Sequence, residues 1–248
     1  MSDFAQIAER TDVFVANVTL LYGDRPVWDR AAAAVADGYH KIESWWPFET
    51  SVPSDAQVGC FVEAVQLSGA QLIAMNFTLG EERGILSHPH RAAEFADHTE
   101  VVAGIVAQLG VRLCNVPYGM PEGSDLQTAL ENLAAASARL QSVGALPMLE
   151  PMSGAPGYPV TTAAQAVNII EQVQAPVGLL ADLYHFAVNG EDIDVVLRQY
   201  ISRIVHVQVA DFPGRHEPGT GELDIDGYLT LLQQLGYRGE VALEYLPS

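Results

Sequence analysis

Val177-Gly-Leu-Leu-Ala-Asp182 is a run of five apolar or small residues closed by an acid. The run is too short for a stable helix and fits a strand buried on both faces, the kind that parallel sheets contain. Three further segments of the C-terminal half repeat it. Ala145-Leu-Pro-Met-Leu-Glu150 and Glu240-Val-Ala-Leu-Glu244 also end in acids, and Ile204-Val-His-Val-Gln-Val209 carries Gln208 near its end. Polar side chains closing buried strands mark a parallel β/α barrel, in which chemistry collects at the strands' C-terminal ends.

Working outward from these four, eight strand candidates can be counted, near 13–18, 39–44, 70–77, 111–116, 145–150, 177–182, 203–210 and 239–245. Helix-like stretches separate them near 28–37, 54–69, 90–109, 124–143, 161–173, 191–201 and 226–236. Ser54 and Asp226 are placed to cap helix starts, and Gly38, Gly110, Gly144 and Gly236 fall where helices should stop. The expectation is an α/β fold, a single (β/α)8 TIM barrel spanning residues 1–248, since about 250 residues suffice for one. The longest irregular pieces, 78–89, 151–160 and 211–225, all follow strands and so belong to the substrate-binding face. Little chain follows the last strand, so a full eighth helix is lacking. Either residues 3–10 or another subunit must cover that flank, which favours a homo-oligomer, most simply a two-fold dimer.

Twelve Lys and Arg against 31 Asp and Glu give a formal charge of −19. So acidic a surface disfavours nucleic acid and anionic membranes, whose phosphates need basic side chains. Cys60 and Cys114 form no disulfide framework, and the N-terminus carries neither a basic nor an apolar leader region. No apolar run reaches the roughly 18 residues of a membrane span. A cytoplasmic protein is expected.

In the seventh candidate, side chains alternate between faces, so Val205, Val207 and Val209 should face the helices, with His206 and Gln208 inside the barrel. An unpaired buried amide or imidazole costs about 1–3 kcal/mol, so both need partners, and an internal hydrogen-bond network would serve. Three interior carboxylates pose a harder problem, because without a cation they repel one another and take up protons. Glu150, Asp182, Gln208 and Glu244 together form an oxygen-only set suited to Mg²⁺ or Mn²⁺.

Around that set, His185 is either a loop histidine without a role or a substrate contact. Arg215 either pairs with a substrate oxygen, for which its planar fork is suited, or with an acid of its own loop. Trp45 and Trp46 serve the core or wall the site from water. Asn76 closes the third strand as a polar contact, and Asn17 reads equally as structural. Gly219-Thr-Gly221 lacks the spacing of a phosphate loop, and no nucleophile elbow exists.

In combination the chain resembles the hydroxypyruvate isomerase family of the xylose-isomerase-like barrels. The resemblance rests on Ala16-Asn17-Val-Thr-Leu-Leu-Tyr22, Ile42-Glu43-Ser-Trp-Trp-Pro47, Gly80-Glu-Glu-Arg-Gly84, Leu149-Glu150-Pro151 with Pro156-Gly157-Tyr158, Asp182-Leu-Tyr-His185, His206-Val-Gln208-Val-Ala-Asp211, Arg215-His-Glu-Pro-Gly-Thr-Gly-Glu222 and Glu244-Tyr245. It implies a metal held by Glu150, Asp182, Gln208 and Glu244, an acid/base pair in Glu150 and Glu244, and substrate contacts from His185 and Arg215. Asn76 and Trp46 are added here as substrate contacts. The chain departs from the family at Met75, where a histidine is common, in the bulky Trp45-Trp46 pair, and in its short C-terminal end.

The implied chemistry moves a carbonyl to the neighbouring carbon through an enediolate. One glutamate removes a proton and the other returns it, on a small hydroxy-carbonyl compound of the hydroxypyruvate and tartronate semialdehyde type. A 2-oxo-tetronate isomerase or a ketose 3-epimerase would use the same atoms. Outside that class stand a non-catalytic sugar-binding barrel and an endonuclease IV-like repair enzyme. The latter calls for several ligating histidines and a basic DNA face.

Overall fold

The computed structural model describes residues 14–248. Eight parallel strands close into a barrel in sequence order. They are β1 (Val15–Asn17), β2 (Lys41–Ser44), β3 (Gln71–Asn76), β4 (Leu113–Asn115), β5 (Leu146–Leu149), β6 (Gly178–Asp182), β7 (Ile204–Val209) and β8 (Val241–Leu243). The helices are α1 (Val18–Leu21), α2 (Val27–Ala36), α3 (Asp55–Ser68), α4 (Ala92–Leu109), α5 (Leu126–Gln141), α6 (Ala163–Gln172), α7 (Leu183–Val188), α8 (Ile193–Tyr200) and α9 (Ile225–Gln234). Every expected strand and helix is present, and among the described residues no helix follows β8. Cover of that flank by residues 3–10, and the first strand's start at residue 13, fall outside the described residues.

Local chemistry sets the element ends. Ser54 caps α3 in a reciprocal box with Gln57, and Thr162 does the same for α6 with Gln165. Gly110 ends α4 in the left-handed conformation. Asp226 does not cap α9. Asp224 does, accepting the Gly227 amide at 3.1 Å, because the helix starts two residues earlier than its apolar periodicity suggests. The two short helices α1 and α7 are additions to the expected set. Each is capped by the polar residue that ends the preceding strand, Asn17 and Asp182.

The barrel interior has two layers. Val15, Ile73, Ala74, Met148, Leu180 and Ala242 form a buried apolar cluster separate from the main core, with Leu113 and Val205 packed on it. One inward position further along their strands stand Asn17, Asn76, Asn115, Glu150, Asp182 and Glu244, all buried. The period-two pleat places them toward the strands' C-terminal ends. Val205 thus packs with the interior cluster rather than facing the helices beside Val207 and Val209. The cause is a register shift against β6: Leu179 pairs with Ile204 and Leu180 with His206, leaving Val205 as an extra residue. Cys60 is exposed on α3 and Cys114 is buried in β4, both as free thiols. No helix of the described residues is long and apolar enough to cross a membrane.

Candidate active site

The polar layer is organised around Glu43, which follows Ile42 on β2. One of its oxygens accepts from Asn17 at 2.9 Å and from Gln208 at 2.7 Å, and the other lies 2.6 Å from His206 Nε2. His206 therefore belongs to an internal network. Gln208 and Asn17 reach from Glu43 to Glu244, giving 3.2 and 2.9 Å contacts to Glu244 Oε1. Trp45 Nε1 donates to the same oxygen at 2.7 Å. Glu244 is thereby held by residues from β1, β2 and β7.

Arg215 faces the other oxygen of Glu244 in a short ion pair and lies 3.6 Å from Asp182 Oδ2, so it pairs with the barrel's acids rather than with its own loop's. Its guanidinium also lies 5.2 Å from the centre of the Tyr184 ring. Asp211 builds the loop that presents it, accepting the amides of Phe212, Gly219 and Leu223 at 2.9, 2.7 and 3.0 Å. The Gly219–Gly221 segment thus turns an amide toward a carboxylate of its own chain. The chain's last residues join the same loop: the Leu246 amide donates to the Arg215 carbonyl at 2.7 Å, and the Ser248 amide to Glu217 at 3.0 Å.

On the facing side Glu150 accepts from Asn115 Nδ2 at 2.6 Å. His185 Nε2 lies 3.6 Å from Glu150 and 3.5 Å from Asp182. Donor atoms of Glu150, Asp182 and His185 all fall within 4.8 Å of one another, a spacing that suits a metal ion. The hydrogen bonding of the imidazole refines the ligand set. The Ser153 amide donates to Nδ1 at 3.2 Å, so the ring proton resides on Nε2, which faces the two acids without a hydrogen bond and carries no free lone pair for a metal. Gln208 Oε1, Asp182 Oδ2 and Asn115 Oδ1 are buried and without a hydrogen-bond partner among the described residues, and the first two belong to the side chains expected to hold a cation.

Electrostatics follow from crowding three acids in a dry site. Burial raises Glu150 well above the carboxylate range, and Glu244 and Asp182 push it further. Burial likewise lifts Glu244 to about 7 and raises Asp182, with Arg215 opposing both shifts. Burial and then Arg215 lower His185 to about 3, so the imidazole is neutral.

These groups open onto a small cleft lined by Trp45, Asn76, Leu79, Arg83, Glu150, Met152, Ser153, His185, Arg215 and Glu244. The three long loops all contribute to it. Of the substrate contacts expected from sequence, Asn76, His185 and Arg215 lie on the wall. Trp46 does not: its ring packs edge-on against Phe48 and His98, and its Nε1 bonds the Thr50 carbonyl at 2.8 Å. Trp45 stands on the wall instead. Glu43 and Arg83, which lie in segments that resemble the family but carried no expected role, and Asn115 and Ser153 complete the site.

The family described as xylose isomerase-like TIM barrel matches residues 31–248. The chain is 36% identical to a "Putative hydroxypyruvate isomerase" of Streptomyces coelicolor over 253 aligned positions, covering 95% of this chain and 91% of that one. The chain belongs to the hydroxypyruvate isomerase family. It is an enzyme of the aldose–ketose isomerase class. A relative named "2-oxo-tetronate isomerase", of Cupriavidus necator, is 30% identical across 94% of this chain and 92% of its own length. Among solved structures, a Brucella melitensis protein named "AP endonuclease, family 2" superposes with a TM-score of 0.86 at 27% identity, covering 95% and 93% of the two chains.

Proposed function

We propose that this isomerase interconverts a short hydroxy-oxo acid with its neighbouring-carbonyl isomer, of the hydroxypyruvate and tartronate semialdehyde type. The observation that carries the reading is that Glu150 and Glu244 line one cleft from β5 and β8, with His185 and Arg215 beside them. One carboxylate takes the proton alpha to the carbonyl and the other returns one to the adjacent carbon. The neutral His185 donates Nε2–H toward a substrate oxygen, and Arg215 carries positive charge beside the same position. Trp45, Leu79 and Met152 exclude water from the reacting carbons. Glu150, Asp182, Gln208 and Glu244 are the residues that would hold a divalent ion. When bound there, Mg²⁺ or Mn²⁺ supplies further positive charge for the oxyanions of the enediolate. The unsatisfied oxygens of Gln208 and Asp182 support that ligand set.

A second reading, isomerisation of a 2-oxo-tetronate, is favoured by the relative of that name and needs only one more hydroxymethylene group in the cleft. Free Cys60 and Cys114 fit a cytoplasmic, reducing setting. The test is incubation of three- to six-carbon hydroxy-aldehydes, ketones and their acids with the protein and Mn²⁺ or Mg²⁺ in D₂O. Deuterium at the original carbonyl carbon, with the carbonyl moved to its neighbour, supports isomerisation. Deuterium without carbonyl movement would mean epimerisation, and no incorporation at all would refute both.

A further inference from the structure

We infer that Arg83 receives the carboxylate of the substrate and so selects acids over neutral hydroxy-carbonyl compounds, an inference that rests on the isomerase reading above. Among the described residues only two non-glycine positions have positive φ, Arg83 at 53° and Arg215 at 61°, and both line the same cleft. A left-handed conformation costs a residue with a long side chain about 1–2 kcal/mol, and such strain persists where the surroundings over-determine the backbone.

The surroundings of Arg83 do so. The Gly84 amide donates to the Leu79 carbonyl at 2.6 Å, closing the loop, and the Met120 amide donates to the Glu82 carbonyl at 2.8 Å. The Glu82 side chain is gripped in a short ion pair by Arg91, which itself holds Glu94 at 2.6 and 2.8 Å. A Cβ on Gly84, whose φ is +120°, would come within 2.2 Å of the Pro117 carbonyl oxygen, so only glycine lets the two loops meet there. The segment is fixed on both sides of Arg83, which lines the cleft as an exposed residue.

Charge gives the contact its meaning. Glu150 and Glu244 line the cleft and Asp182 lies behind them, and Arg215 is already committed to Glu244 and Asp182. An anionic substrate entering beside three acids needs a second cation. Arg83 has no hydrogen bond or ion pair of its side chain among the described residues. A free planar guanidinium at the rim accepts a carboxylate through two parallel N–H bonds and leaves the hydroxy-carbonyl end pointing inward to Glu150, His185 and Glu244. A neutral ketose has nothing to offer it.

The experiment compares the wild type with Arg83→Asn, which tolerates a left-handed backbone, and with Arg83→Lys. The substrates are a three-carbon hydroxy-oxo acid and the neutral triose that carries a hydroxymethyl group in place of the carboxylate. For Arg83→Asn, kcat/KM for the acid should fall about 30- to 100-fold, mainly through KM, at least tenfold more than for the triose, with partial recovery in Arg83→Lys. Equal losses on both substrates, or no loss on the acid, would overturn the assignment. A readout without turnover separates this from the isomerase reading: NMR titration with D-glycerate, the acid skeleton lacking a carbonyl, against glycerol. Glycerate should bind Arg83→Asn at least tenfold more weakly than the wild type, and equal affinity would again overturn it. Glycerate binding that depends on Arg83, in a wild type that turns over no compound, would sink the isomerase reading and leave the contact standing.

Discussion

Replacing Glu43 by leucine leaves three buried donors in search of acceptors. Asn17 Nδ2 and Gln208 Nε2 retain Glu244 Oε1 at 2.9 and 3.2 Å, whereas His206 Nε2 loses its 2.6 Å contact with Glu43 and has no other. Hydrogen bonds to a charged group contribute about 1.5–3 kcal/mol each, so three would suggest roughly 4–9 kcal/mol if all were lost. Because two of the three donors keep a second acceptor, a loss of about 3–5 kcal/mol is expected, the range for breaking a buried pair from one side. In urea, with a slope of roughly 3 kcal/mol/M, the unfolding midpoint should fall by about 1 to 2 M. The paired change Glu43→Leu with His206→Leu removes both ends of the contact and should recover a large part of that loss, since an apolar pair of similar volume is tolerated where a broken polar pair is not. A Glu43→Leu midpoint within roughly 0.2 M of the wild type would mean that the layer is wet or rearranges freely. A double variant as unstable as the single one would mean that Glu43 acts through something other than His206.

Glu244→Gln should keep the fold yet lower turnover by at least about two orders of magnitude, the usual scale for removing an acid/base group; near-normal rates in a D₂O exchange assay would leave Glu244 a purely structural role. His98 accepts the Thr78 amide on Nε2 at 3.0 Å and meets the Ser51 carbonyl through Nδ1 at 2.7 Å, and burial lowers it from 6.5 to about 4. The unfolded chain therefore binds the proton first: this stability is intact above pH 6.5 and declines from there toward pH 4, by about 3 kcal/mol at about 1.4 kcal/mol per unit, a slope that denaturation of His98→Gln across the same pH range should lack. Self-association is expected through the depression of Trp28, Cys60, Glu63, Ala64 and Leu67, where Trp28 is 46% and Leu67 80% exposed. Light scattering should give about twice the monomer mass of 26.7 kDa and Leu67→Glu should reduce it; a wild-type monomer at micromolar concentration would end the idea.

The sequence carried the barrel because buried parallel strands are continuous apolar runs, and Glu150, Asp182 and Glu244 interrupt such runs where a chain cannot ignore a charge. Glu43 lies in the expected strand 39–44 but follows Tyr39-His-Lys-Ile, where an acid does not stand out as a break in an apolar run. Val205 escaped because a register shift in the ladder leaves no trace in a period-two pattern. The choice between Trp45 and Trp46 turns on which way the chain leaves β2, a matter of backbone direction beyond the last paired residue. The short helices α1 and α7 hold too few residues to show helical periodicity, and only their capping side chains betray them. Arg83 sits between visible glycines, yet the close approach of Gly84 to Pro117 that holds its loop joins segments far apart in sequence.

The tail from Glu244 to Ser248 is hydrogen-bonded along the loop that holds Arg215, so a buried carboxylate, its counter-charge and residues 246–248 are tied together. A cut, fusion or bulky label at Leu246 pulls directly on the Arg215 carbonyl, and the damage should register as slower chemistry before it registers as unfolding. Anyone engineering this protein should treat those few exposed residues as support for the Arg215 loop, and attach handles to the outer helices instead.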